Sequence, residues 1–129
     1  RTPRPQICNG LKMKNMDCLF TMVSILYYIK KEWALLYAKI PLAEYEKLTD
    51  HFSAHNFDAD KITDLAIKVG MNYITFTTCH HEGFCLWDLK VEPFNSMHSV
   101  AERDLVAELS EACARKGLGF FEYYTFMLN

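Results

Sequence analysis

Two adjacent histidines and a carboxylate, His80-His81-Glu82, follow closely on the run Tyr73-Ile74-Thr75-Phe76. That run alternates as a buried strand does, so the polar residues stand where a strand passes into a loop. In parallel α/β architectures, sites are built at the C-terminal ends of strands. A neutral imidazole offers one donor and one acceptor, so two of them can meet adjacent hydroxyls of a sugar without carrying full charge. Neighbours along a strand point to opposite sides. Both rings therefore reach one ligand only where the strand ends or bends between them; otherwise one packs inward and the other lies at the surface. A second strand-like run, Leu118 to Tyr124, brings Glu122, Tyr123 and Tyr124 to the same rim. Alternation there predicts one tyrosine in the core and one at the rim.

Other chemistry is sparse. Cys79, His81 and Cys85 offer a metal-ligand alternative, but no fourth ligand at zinc-site spacing follows, and neither metal nor cofactor is expected. Glu82, Asp88 and Glu122 are the carboxylates near the rim, and nothing in their spacing, or in that of Glu32, makes two of them a matched acid and base. Trp33 and Trp87 are packing aromatics or covers for a ligand face.

The 129 residues make one domain at most, able to bury roughly two-thirds of the unfolded surface. A formal charge of −2 with scattered Lys and Arg excludes a nucleic-acid face. The apolar segment Cys18 to Tyr28 is too short to span a membrane. Cys8, Cys18, Cys79, Cys85 and Cys113 are odd in number and lack CxxC spacing, so free thiols are expected rather than a disulfide framework.

The elements that must position the rim follow from periodicity. Residues 1–10 read as an extended lead-in, and Cys18 to Val23 as a strand buried on both faces. Glu32 to Ala38 has a short helical pattern. Pro41 suits the start of a helix burying Leu42, Tyr45 and Leu48. Ile62, Leu65, Ala66 and Val69 recur at helical spacing from about Asp60, capped by Asp58 or Asp60. A later helix begins at a Ser99 capping box or nearer Arg103, buries Leu105, Val106, Leu109, Ala112 and Cys113, and stops at Gly117. The strand–helix rhythm predicts an α/β fold: a partial (β/α) barrel of about three parallel strands with flanking helices, truncated relative to a full (β/α)8 barrel.

Several segments together resemble the alpha-L-fucosidases, retaining glycoside hydrolases built on a (β/α)8-like barrel. They are Lys31-Glu32-Trp33, Tyr37 to Leu48, Phe57-Asp58-Ala59-Asp60, His80-His81-Glu82-Gly83-Phe84, Phe94-Asn95-Ser96, Arg103 to Leu109 and Tyr123-Tyr124. Residues 1–129 are then the N-terminal portion of such a barrel. The resemblance implies that His80 and His81 contact fucose hydroxyls. Glu32, Trp33, Tyr123 or Tyr124 would line the pocket, with Trp87 in the loop over it.

Two positions depart from the family pattern. Leu19 stands where a sugar-binding histidine is usual, and Cys79 where a basic side chain is usual. Retaining hydrolysis also needs two carboxyl groups about 5 Å apart, which the family takes from later strands. The resemblance therefore implies a fragment of an enzyme that removes terminal alpha-linked L-fucose with retention, inactive by itself and without catalytic residues of its own. The alternative is a non-catalytic carbohydrate-binding or self-associating module derived from that barrel. The expected partners are a fucosylated glycan or fucose, and either the rest of the barrel or a second copy, with no nucleic acid and no membrane. A secreted, periplasmic or lysosomal location is implied by the resemblance alone.

Overall fold

In the computed structural model, residues 39–125 are described. The expected Cys18–Val23 strand, the Glu32–Ala38 helix, the Leu19 position and the site candidates Glu32 and Trp33 lie outside them.

Pro41 opens the described part: its carbonyl accepts from the N–H groups of Glu44 at 2.9 Å and Tyr45 at 3.1 Å. The short helix α1 (Leu42–Tyr45) tightens at once into a 3-10 turn, Glu46–His51. Tyr45 is fully buried and Leu48 packs partly against the core.

Helix α2 (Ala59–Lys68) starts where Asp58 accepts from the Lys61 N–H at 3.0 Å, so Asp58 rather than Asp60 is the cap. Its buried line is Thr63 and Ala66, with Ile62 half-buried. Of the other apolar residues that recur at helical spacing, Leu65 is 58% exposed and Val69 39%. Helical spacing marks a stripe of apolar residues, whereas contact follows the small side chains, over which the end of the next helix closes. Lys116 Nζ reaches Thr63 Oγ1 at 2.9 Å, the Asp60 carbonyl at 2.9 Å and Asp64 at 2.7 Å.

Strand β1 (Tyr73–Cys79) follows, then a loop with a 3-10 turn at Ser96–His98. Helix α3 (Leu105–Lys116) is capped by Asp104, whose side chain accepts from the Ala107 N–H at 2.8 Å. Ser99 does not start it; its hydroxyl donates to the Ser96 carbonyl instead. Leu105, Val106, Leu109, Ala112 and Cys113 are buried as expected, and Gly117 ends the helix at φ 73°, a left-handed conformation that glycine adopts without steric cost.

Strand β2 (Gly119–Tyr124) pairs parallel with β1, from Tyr73 opposite Gly119 to Thr77 opposite Tyr123. The register shifts after Thr77, so that Cys79 faces Tyr124. The described residues thus hold a two-stranded parallel sheet with helices. Beneath it, Tyr45, Phe57, Ile74, Phe76, Phe84, Leu86, Phe94, Leu105 and Leu109 form one apolar cluster. Arg103 straps the edge of this core, donating to the carbonyls of Ala54 and Phe57 while pairing with Glu108.

Candidate functional site

The end of β1 carries the candidate rim. After Cys79 the chain turns so tightly that the Gly83 N–H donates to the His80 carbonyl at 2.9 Å. Gly83 takes φ 84°, a conformation that a side chain would oppose. Beyond the turn Phe84 is fully buried, edge-on to Phe52 at 5.0 Å and Phe94 at 5.1 Å. The turn is therefore fixed on one side by the strand and on the other by an aromatic anchor. Returning, Leu86 N–H donates to the Thr78 carbonyl at 2.9 Å, and Ser96 N–H to the Cys85 carbonyl at 2.8 Å.

Because β1 ends at Cys79, the rings of His80 and His81 do not diverge as strand neighbours would. Their centroids lie 4.6 Å apart with planes at 69°. His80 is 8% exposed and its ring faces Tyr123 at 6.4 Å, while His81 is half-buried. Trp87 and Tyr124 form a neighbouring aromatic pair at 5.9 Å. The expectation of one core and one rim tyrosine is corrected, since Tyr123 and Tyr124 are 48% and 47% exposed. Only the start of β2 packs against the core, through Phe120, and its last four residues, Phe121 to Tyr124, are all exposed.

Spacing missed one feature of the site. Glu82 is only 2% exposed, and its Oε2 lies 3.4 Å from His80 Nδ1. Tyr45 belongs to the same buried corner. Its phenol is pushed up by burial, and further by the negative charge of Glu82. The available signal was the two-residue step from His80 to Glu82 across a glycine-ended turn. Glu122 is exposed on β2, and Asp88 pairs with Lys90. Glu82, Asp88 and Glu122 thus sit in three different settings, and Glu32 lies outside the described residues. Among the described residues no three metal-ligating side chains gather, so the Cys79–His81–Cys85 metal alternative has no geometric support.

A loop organiser holds this rim from behind. Asn95, fully buried, donates through Nδ2 to the carbonyls of Leu89 and Glu92, and its Oδ1 accepts from the N–H groups of Met97 and His98. Asp104 Oδ2 also accepts from the Asp88 N–H at 3.2 Å, tying the Trp87 segment to the start of α3.

Comparison with known proteins gives this geometry a context. The family model described as Alpha-L-fucosidase matches residues 19–127. Plasma alpha-L-fucosidase from Homo sapiens is 36% identical over 87 residues, covering 66% of this chain and 19% of its own. Among solved structures, an alpha-L-fucosidase from Lactobacillus casei in complex with alpha-L-fucose product superposes with a TM-score of 0.78 at 34% identity. That match covers 83% of this chain and 37% of the other. A trapped covalent intermediate of a GH29 alpha-L-fucosidase from Bacteroides thetaiotaomicron gives a TM-score of 0.70 at 36% identity, over 72% of this chain and 21% of the other. This chain spans about a fifth of the length of the curated relatives it matches.

Proposed function

The chain belongs to the alpha-L-fucosidase family, and from that premise we propose that it forms the part of a (β/α) barrel glycoside hydrolase that grips the sugar being released. The substrate class is a glycan ending in alpha-linked L-fucose, removed with retention, and the matched solved structures include one with fucose and one trapped as a covalent intermediate. The observation that carries the reading is the perpendicular His80–His81 pair at the exit of β1, over Tyr123. In this role His80 and His81 bind adjacent fucose hydroxyls, Tyr123 and Tyr124 wall the pocket and Trp87 flanks it, with Glu32 and Trp33 completing the lining. The nucleophile and the acid/base carboxyl are supplied from outside this chain, which therefore holds sugar without cleaving it. No helix among the described residues is long and apolar enough to cross a membrane. A secreted, periplasmic or lysosomal setting suits the proposed substrate.

Calorimetric titration with L-fucose tests the assignment. His80→Ala is expected to weaken binding by about 1–3 kcal/mol through an unpaired hydroxyl, and His55→Ala, at an exposed position, to leave it unchanged. Equal losses in the two variants count against the site. The 129-residue chain is also expected to leave an aryl alpha-L-fucoside intact. A second reading, a sugar-binding or self-associating module without catalysis, is favoured by the exposed aromatic rings on β2. Self-association of the 129-residue chain in sedimentation equilibrium, with fucose binding absent, supports it.

A further inference from the structure

The turn that carries His80 and His81 is bracketed by two buried thiols. Cys79 ends β1 and Cys85 begins the return, and the two face each other in an isolated antiparallel bridge. Leu86 N–H donates to the Thr78 carbonyl, which makes Cys79 and Cys85 a non-hydrogen-bonded pair. In that class of pair the facing side chains lie closest, with Cα atoms about 4.5 Å apart, inside the range of about 4.4–6.8 Å that disulfides span. Their Sγ atoms are 2.6 Å apart, too close for two thiols in ordinary contact. Cys113, the other described cysteine, belongs to the core face of α3.

We propose that Cys79 and Cys85 are the two halves of a reversible disulfide that closes the loop His80-His81-Glu82-Gly83-Phe84 into a covalent ring. The oxidant is a small-molecule disulfide, R–S–S–R. The Cys85 thiol loses its proton and attacks one sulfur of the oxidant, forming a mixed disulfide and releasing R–S⁻, which takes up that proton. Cys79 then attacks the Cys85 sulfur, giving up its own proton and expelling the second R–S⁻, which becomes R–SH. Two electrons pass from the protein to the oxidant, two R–SH leave, and an excess of dithiol reverses both steps. Cys85 suits the first attack: the contact between the two sulfurs holds its thiol below the usual value, while the same contact, with burial, pushes Cys79 up. Both residues are under 5% exposed, so the exchange takes place during folding or when the loop opens. The ring fixes the ends of the turn that sets the two imidazoles side by side, and this assignment does not depend on which ligand they hold.

The test uses the whole 129-residue chain, equilibrated with oxidised glutathione, alkylated under denaturing conditions and cleaved after glutamate. Cleavage after Glu82 separates the segment Lys47–Glu82, which holds Cys79, from Gly83–Glu92, which holds Cys85. The expected result is one joined product lighter by two hydrogens, parted by dithiothreitol, retained in Cys113→Ser and lost in Cys79→Ser. Alkylation of both Cys79 and Cys85 after oxidation overturns the proposal. So does glutathione left on either residue without a bridge, or a mixture of pairings with Cys8, Cys18 or Cys113.

Discussion

Asn95 makes little impression in the sequence, a polar residue in a loop, yet it satisfies four backbone groups from a fully buried position. Truncation to Ala would leave buried carbonyls and N–H groups without partners, at about 1–3 kcal/mol each where water cannot reach them. Asn95→Ala is therefore expected to lower unfolding stability by about 2 kcal/mol or more, measured by urea denaturation. Asn95→Asp, which keeps the acceptor but sets a buried carboxylate oxygen against the Leu89 and Glu92 carbonyls, should destabilise at least as much. A loss under half a kilocalorie for Asn95→Ala would show that the Trp87 loop holds its shape by apolar packing alone. Residue 79 carries a related lesson. The pattern of the family places a basic side chain there, and the thiol found instead meets Cys85 rather than a ligand. The odd cysteine count hid that approach of two free thiols, which meet only through the His80–Gly83 turn.

At the scale of elements, α2, α3 and β1 were legible because their apolar spacing is long and regular enough to fix both type and approximate limits. What spacing leaves open is the choice of partner. The start of α3 could lie at Ser99 or nearer Arg103, and the loop path decides that Asp104 meets its open N–H groups. Leu65 and Val69 lie on the apolar stripe of α2, but the helix meets its neighbours through Thr63 and Ala66. The contact between α2 and α3 is sealed at one end by charge: Asp60 lies 2.9 Å from Arg115 and 3.0 Å from Lys116. Hydrogen bonds from Lys116 and then Arg115 hold the Asp60 carboxyl below its usual range. A carboxyl depressed in the folded state contributes stability that is fully present above its unfolded value of about 3.9 and is lost as pH falls through the lower folded value. Asp60→Asn should thus melt below the wild type at neutral pH, with the two curves converging in acid. The gap should also shrink with added salt, since the pair is exposed. A gap that widens in acid would contradict this sign.

At the scale of the whole molecule, the two-stranded sheet governs behaviour. β1 is buried along most of its length, whereas β2 exposes Phe121, Tyr123 and Tyr124 at 45%, 48% and 47%. Among the described residues only β1 borders β2, so one row of its backbone donors and acceptors faces outward beside three aromatic rings. Such an edge is a template for pairing with another strand, and clustered exposed apolar surface marks a contact site. For the 129-residue chain, a second copy offers the same backbone groups. Sedimentation equilibrium is expected to show concentration-dependent association. Phe121→Lys, which puts a charge on the open edge without touching the histidine pair, should shift it toward monomer. A folded species that stays at 15.0 kDa across the concentration range would mean that β2 is not adhesive.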